Sequence, residues 1–397
     1  MAKMRFWGIT GTNGKTTTTW IAAEFINAGE GRRAGHITTV EVFDGVRRFY
    51  TGYTTPPLAR LREIFAAMEA NGCTDCVMEV SSHAIHQNRV GFGETTVFSG
   101  GAFTNLSEDH LDYHKTMEEY FRVKLSFAER IAADNARLRG WGDGVPPSAG
   151  RRDFPPYVVC MDGGFAGEML EACGRLPLNV IPVSAKSPRL DLSELPLVGD
   201  YNKSNALVAA ALAEAAGVSR EAIQAVVPSL TPRWGRLERV ENASVAAEVY
   251  VDFAHTPDGL EKVLAAMRSE TPARLWVVFG AGGDRDPMKR PLMGEVCARL
   301  ADRVVVTSDN PRSEDPMAII EAIQAGMPPG VAESGGVHVE PDRRAAIAFA
   351  LSNAARGDVV VIAGKGHETT QEIAGVKHPF DDREVVRGFR GGEESAT

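Results

Sequence analysis

Apolar runs of strand length alternate with amphipathic stretches along almost the whole chain. Cys76-Val77-Met78-Glu79-Val80 and Val97 to Phe103 read as buried strands, and Phe6-Trp7-Gly8-Ile9 is another apolar stretch. Leu58 to Asn71 reads as a helix because Leu61, Ile64, Phe65 and Met68 share one face. Thr17 to Ala28, Glu118 to Arg130 and the alanine-rich Asn202 to Ala216 read as further helices. Pro228 to Gly235, with its prolines and Trp234, reads as a hinge. Beyond it the alternation restarts, with strands at 247–253, 274–279, 303–307 and 358–363 and helices at 259–269, 288–300, 316–325 and 343–355. This order predicts an α/β protein whose mostly parallel sheets carry helices on both faces. Two domains are expected, 1–232 and 233–397, the second a Rossmann-like doubly wound unit. The Gly-, Pro- and Arg-rich stretch from Leu138 to Pro156 is expected to be a surface loop, and the polar tail from Arg387 to Thr397 to be frayed.

Composition narrows the function. A chain of 397 residues is long enough for two or three cores. The net charge of −9 leaves no basic footprint for nucleic acid. The N-terminus has no secretory apolar region, and no apolar run approaches membrane-span length, so a cytoplasmic protein with no membrane partner is expected. Five scattered cysteines fit a reducing compartment. Cys73 and Cys76 have redox-motif spacing, but they straddle a loop-to-strand junction and are expected simply to pack.

Gly11-Thr12-Asn13-Gly14-Lys15-Thr16-Thr17, between an apolar strand and a helix, carries the chemistry of a phosphate-binding loop. Its glycines let backbone N–H groups close on a polyphosphate, Lys15 can reach the β/γ-phosphates, and the Thr16 hydroxyl can hold Mg²⁺. The loop departs from the strict pattern, because the residue five before Gly14 is Ile9. Gly280-Ala281-Gly282-Gly283 lacks dinucleotide spacing and is followed by charged residues, so it is not read as a cofactor fingerprint.

Glu79 ends a strand ahead of Ser81, Ser82 and His83, and it reads equally as a Mg²⁺ ligand or as a cap on the next helix. His110 and His114 stand at i,i+4 spacing but lack the intervening Glu of a zinc helix. A Mg²⁺ or phosphate role for His110 is preferred, with Ser107 as a helix cap. Lys124, read as a residue type alone, is a solvated or snorkelling lysine.

Gly-Thr-Asn-Gly-Lys-Thr-Thr, Glu79-Val80-Ser81-Ser82-His83 and Thr104-Asn105-Leu106-Ser107 through Asp109-His110-Leu111-Asp112-Tyr113-His114 occur in that order. Gly235-Arg236-Leu237-Glu238, Asp252-Phe253-Ala254-His255-Thr256-Pro257-Asp258 and Gly364-Lys365-Gly366-His367-Glu368 follow. In these motifs the chain, from about Arg5 to Val386, resembles the Mur ligase family. Within that family it resembles the members that add the third residue of the peptidoglycan peptide. The resemblance implies a P-loop central domain and an ATP-dependent ligase reaction. ATP phosphorylates a substrate carboxylate, an amine attacks the acyl phosphate, phosphate leaves and an amide forms. It also implies that Thr16 and Glu79 hold one Mg²⁺, and that His110 and a carbamylated Lys124 help hold a second. Gly11, Thr12, Asn13, Gly14, Lys15, Thr16 and Thr17, with Asn205, Arg236, Asp252 and His255, would hold ATP, Arg236 near the γ-phosphate and Asp252 near the ribose. Lys15, Lys124, His110, Glu79 and Arg236 would carry catalysis. Thr54, Thr55, Ser81, Gln87 and Arg89 match positions for the carboxylate-bearing peptide, for which UDP-N-acetylmuramoyl-L-alanyl-D-glutamate is a candidate. Asp309-Asn310-Pro311-Arg312 matches enzymes that select meso-diaminopimelate over lysine, since a guanidinium can fork on a distal carboxylate that lysine lacks. Arg290, Gly364 and Glu368 complete that site, Glu368 facing the distal ammonium.

Two departures from the family bear on the acyl substrate. Members carry an N-terminal domain of about a hundred residues that holds the uridine nucleotide, and no folded domain is expected ahead of this phosphate loop. Cys160 and Gly163 stand where the family has polar residues. A specialised ligase using a nucleotide-free acyl substrate is therefore one alternative. Another is a non-catalytic nucleotide-binding homologue serving a partner, against which the retention of Lys15, Glu79, His110 and Lys124 argues. A monomer is expected.

Overall fold

The computed structural model describes residues 3–141, 150–231, 235–271, 273–330 and 336–390. Its contacts divide the chain into two compact units, Met1–Thr231 and Pro232–Thr397. Each is a sheet between helices, the α/β architecture that the alternation predicts.

The first sheet runs across Arg48–Phe49, Val42–Phe43, Ala34–Ile37, Asp75–Glu79, Arg5–Thr10, Phe98–Phe103, Pro156–Cys160 and Asn179–Val183. Pairing is parallel from Ala34–Ile37 to Asn179–Val183 and antiparallel in the small edge hairpin. The central strand is apolar on both faces because both are covered. Trp7 and Ile9 point into one core with the helices Lys15–Asn27 and Asp200–Ala215. Phe6 points into the other, beneath Leu58–Ala70 and Met117–Leu138. Buried Asp75 ties the start of the sheet, accepting from Trp7 Nε1 at 2.8 Å and pairing with Arg5. Register decides what meets at the other end. Ile9 lies opposite Glu79 and Thr10 opposite Phe103, so the segments after these strands emerge side by side.

The second sheet runs Val337–Val339, Arg303–Val306, Leu275–Phe279, Val359–Ala363, Glu248–Asp252 and Glu238–Arg239, with only the last strand antiparallel. Asp252 lies opposite Ala363 and Phe279 opposite Val306, which gathers the segments beginning at 253, 280, 307 and 364 at one edge. A hairpin, Thr370–Ile373 with Val376–Pro379, stands apart from this sheet.

Several sequence expectations change. The helix expected to end at Arg130 continues to Leu138, because Ile131 and Ala132 extend its buried stripe, so Leu138 is helical. Residues 142–149 of the expected surface loop, and 232–234 of the expected hinge, lie outside the described residues. Arg387 belongs to a C-terminal helix, Asp382–Gly388, held by Asn242 Nδ2 donating to the Val386 carbonyl at 2.6 Å. Residues 391–397 of that tail are not described. Ser107 caps no helix, since the next helical turn, Leu111–His114, starts from a left-handed His110. All five cysteines are free and buried. No helix among the described residues is long and apolar enough to cross a membrane.

Candidate active site

The phosphate loop is held open by its neighbours. Gly14 caps the helix Lys15–Asn27 at φ +83°, in the left-handed region, and a Cβ there would lie 2.4 Å from Asn205 Oδ1, so only glycine fits. No side chain caps this helix at Gly14, and a helix N-terminus is the end that attracts an anion. Asn105 clamps the loop from the adjacent strand end, accepting from the Asn13 N–H through Oδ1 and donating Nδ2 to the Asn13 carbonyl, each at 3.0 Å. Asn205 reaches it from Asp200–Ala215, where Thr18 Oγ1 donates to Asn205 Oδ1 at 3.2 Å. Thr12 is buried, while Thr16 and Thr17 are half-buried. Lys15 folds over the loop, donating to the Gly11 and Thr12 carbonyls at 3.0 and 2.7 Å.

Lys124 contradicts its residue-type expectation. It falls on the buried stripe of its helix, between Tyr120 and Phe127, and is 1% exposed. Its Nζ donates to the Gly11 carbonyl at 2.8 Å and lies 4.5 Å from the Tyr120 ring centre. Burial, reinforced by the Lys15 charge, holds its pKa well below the usual lysine value. The neutral amine is therefore accessible, in contrast to a surface lysine.

Glu79 is buried and caps nothing; Ser81 caps the following helix by accepting from the Ala84 N–H. Glu79 Oε1 accepts from the Thr39 N–H at 2.8 Å and Oε2 from the Thr39 hydroxyl at 3.2 Å. Each oxygen retains a lone pair. His110 stands beside Asp109 at 3.3 Å. Loss of water around its ring, with Lys15, His83 and Lys124 nearby, pushes its pKa down against the pull of Asp109, so it is a neutral donor atom at pH 7.

The peptide-matching residues form one connected group. The Thr39 hydroxyl, whose proton goes to Glu79, accepts from the Thr54 hydroxyl at 3.0 Å. Thr55 is fully buried, with its hydroxyl donating to the Glu79 carbonyl at 2.8 Å and accepting from the Ser81 N–H at 3.1 Å. Arg89 Nε donates to Gln87 Oε1 at 2.8 Å, and Gln87 Nε2 to the Tyr113 hydroxyl at 3.1 Å. Cys160 is buried, and Gly163 lies against Asn105.

In the second unit, Asp252 is buried, and its oxygens accept from the Ala254 and Leu237 N–H groups, both at 2.7 Å. Burial nevertheless raises its pKa. The Arg236 guanidinium lies 4.7 Å from the Phe253 ring centre. His255 Nδ1 sits 2.7 Å from the Phe253 carbonyl, which makes Nδ1 a donor. Asn310 Nδ2 donates to Glu368 Oε2 at 2.8 Å. Arg312 has φ +54° and donates its own N–H to the Glu372 carbonyl at 3.0 Å.

Arg290 is buried against Glu314 at 2.8 Å, with its Nε unpartnered. Asp309 Oδ2 and Asp286 Oδ2 are likewise buried without a hydrogen bond. Gly364, at φ +114°, brings the backbone so close that a Cβ would lie 2.4 Å from Asp309 Oδ2. Gly280 to Gly283 pack against the 307–311 segment, which accounts for the glycine cluster.

Sequence reasoning gave no role to Thr39, Asn105, Tyr113, Tyr120, Asp286 or Lys365. Asn105, Tyr113 and Lys365 lay inside motifs already noticed. Thr39 had no local signal, because it reaches Glu79 only through strand register.

Comparison with known proteins agrees across the chain. The family model described as Mur ligase middle domain matches residues 9–139, and that described as Mur ligase, glutamate ligase domain, matches 235–366. UDP-N-acetylmuramoyl-L-alanyl-D-glutamate--2,6-diaminopimelate ligase of Chlorobaculum tepidum is 38% identical over 395 residues, covering 97% of this chain and 76% of its own. The protein of the same name from Thermosynechococcus vestitus is 42% identical over 394 residues, with 96% and 75% covered. A solved structure of a ligase of that name superposes with a TM-score of 0.59 at 33% identity, covering 97% of this chain and 78% of the other. Folylpolyglutamate synthase of Mycobacterium tuberculosis shares the fold, with a TM-score of 0.62 at 22% identity and 91% and 88% covered. Phosphate loop, buried lysine and relatives over nearly its whole length lead to one assignment: the chain belongs to the Mur ligase family.

Proposed function

We infer that this protein is an ATP-dependent acid–amino-acid ligase that joins a carboxylate of UDP-N-acetylmuramoyl-L-alanyl-D-glutamate to 2,6-diaminopimelate. The observation that carries the reading is its identity of 38% and 42% with ligases of that name over nearly the whole chain. The geometry supports it from within each unit.

The carboxylate oxygen takes the γ-phosphoryl group of ATP, ADP departs, the amine displaces phosphate from the acyl phosphate, and an amide remains. In the first unit, Gly11 to Thr17 cradle the polyphosphate, and Lys15 exchanges its loop carbonyls for phosphate oxygens, placing charge where it develops in the transition state. Asn205 keeps the loop in shape. Thr54, Ser81, Gln87 and Arg89 bind the acyl peptide, and Thr55 braces them from below. In the second unit, Arg236, Asp252 and His255 serve the nucleotide. Asp309, Asn310, Arg312, Arg290, Gly364 and Glu368 take the amino acid, with the guanidinium on its distal carboxylate and Glu368 on its distal ammonium.

The donors present suit Mg²⁺: a buried carboxylate with free lone pairs at Glu79, a neutral imidazole at His110, a hydroxyl at Thr16 and an amine at Lys124 poised to become a carbamate. Held by these residues, Mg²⁺ would neutralise polyphosphate charge. Lys124 adds to CO₂ through the lone pair of its neutral amine and releases a proton, which converts the amine into an anionic oxygen ligand.

The test is turnover of the purified chain with ATP, the UDP-linked acyl substrate and diaminopimelate, read by mass spectrometry and ADP release. A product with the mass of acyl substrate plus diaminopimelate less one water, requiring all three substrates, is expected. ADP release that ignores the amine, or product only with lysine, overturns the reading.

A further inference from the structure

Lys365 has no assigned part in the reaction, yet it is the most constrained lysine of the second unit. It is fully buried, directly after the strand Val359–Ala363 and Gly364. Its ammonium has three donors, and all are used: Asn310 Oδ1 at 3.1 Å, Glu368 Oε2 at 3.0 Å and the Thr370 carbonyl at 2.7 Å. These contacts join the segment carrying Asn310 to the one carrying Glu368.

The contacts also settle orientation. Asn310 Oδ1 accepts from both Lys365 and the Glu372 N–H, the latter at 2.9 Å, so its Nδ2 must be the atom facing Glu368. Glu368 Oε2 accepts from Asn310 Nδ2 and Lys365 Nζ and is thereby saturated. Oε1 takes no hydrogen bond from a described residue, and the Glu368 side chain is 31% exposed, so Oε1 is the oxygen offered to a ligand. Gln371 Nε2 donating to the Asp309 carbonyl at 2.8 Å pins the same segment from the hairpin.

We propose that Lys365 is a positioning residue for the incoming amino acid, acting through Glu368 and Asn310 to present a single carboxylate oxygen to the substrate's distal ammonium. This rests on the reading of Asn310 and Glu368 as part of the amino-acid site. Lys365 touches no substrate. Without it, Glu368 loses a charged partner and can rotate, and Asn310 loses the contact that fixes its amide.

Steady-state kinetics of Lys365→Met, Glu368→Gln and the double variant test this, each variant first checked for a cooperative thermal unfolding transition. Lys365→Met is expected to raise KM for diaminopimelate at least tenfold while KM for ATP and for the acyl substrate stay within about twofold. The double variant is expected to be no worse than the poorer single variant, because both changes remove the same contact. Multiplying losses, an unchanged KM for diaminopimelate, or an equal rise in all three KM values overturns the proposal. If Lys365→Met does not fold, Lys365→Gln, which keeps two donors, takes its place with the same expected split. If neither folds, the lysine is purely structural and the proposal fails. Wild-type turnover is measured first: a wild type that does not take diaminopimelate overturns the substrate reading, whereas one that takes it with unchanged KM in the variant overturns only the role of Lys365.

Discussion

Lys15 and Lys124 donate to the same oxygen, the Gly11 carbonyl, at 3.0 and 2.8 Å. Two ammonium groups on one acceptor repel each other, and the buried one yields: Lys124 has its pKa lowered, by burial first and by Lys15 second. A neutral amine is what addition to CO₂ requires. Lys124→Ala is therefore expected to be folded but inactive, and short carboxylic acids are expected to restore part of the activity by supplying the missing oxygens. Full activity without added acid would mean that the lysine serves packing alone.

Lys15 itself is half-buried, and its ammonium donates to two carbonyls of its own loop. Lys15→Ala should leave the unfolding midpoint close to wild type while lowering kcat by at least 10²–10³-fold, the scale for losing one preorganised charge or donor at a transition state, about 3–4 kcal/mol. Circular dichroism and a coupled ADP assay on one sample separate the two effects. A folded variant of near-normal rate is incompatible with phosphoryl transfer at this loop.

Arg312 is set up for choice between amines. Its backbone is fixed to the hairpin through Glu372, and its guanidinium lies 3.8 Å from the Glu372 carboxylate, a loose pair that a substrate carboxylate can displace. Arg312→Ala should lower kcat/KM for diaminopimelate far more than for lysine, removing about 2–4 kcal/mol of discrimination. Competition assays with both amines measure this directly. Equal losses would place the specificity elsewhere.

His114 gives a pH signature. It is buried beside the Ser82 hydroxyl at 2.9 Å, and burial, followed by the neighbouring His83, Lys124 and His86, pushes its pKa down to about 4 against Asp112. The unfolded chain binds this proton near pH 6.5, so between pH 6.5 and 4 the unfolded state holds more protons and stability falls as the pH drops. The contribution is roughly 2–3 kcal/mol across that window. Urea unfolding at pH 7 and pH 5 should show a smaller loss in His114→Gln than in wild type. Parallel pH curves would remove His114 from the account.

The sequence by itself determined the architecture, because strands buried on both faces must be apolar at consecutive positions and the helices between them must carry an apolar stripe. It also placed the phosphate loop, since glycine spacing between a strand and a helix is a local property. Its element boundaries slipped where burial ran past the visible pattern, as at Ile131 and Ala132. The small strands Ala34–Ile37, Pro156–Cys160 and Asn179–Val183 passed unnoticed, because few residues carry little periodicity. Tertiary structure alone decided the rest. Lys124 has the composition of a solvated residue and becomes a buried amine only because its helix turns that face to the Gly11 carbonyl. Glu79 could as well have been a cap; strand register sets it beside Thr39, forty residues away in sequence. Lys365, Asn310 and Glu368 meet because parallel strands deliver distant segments to one sheet edge, and hydrogen bonds between such segments leave no trace in local spacing.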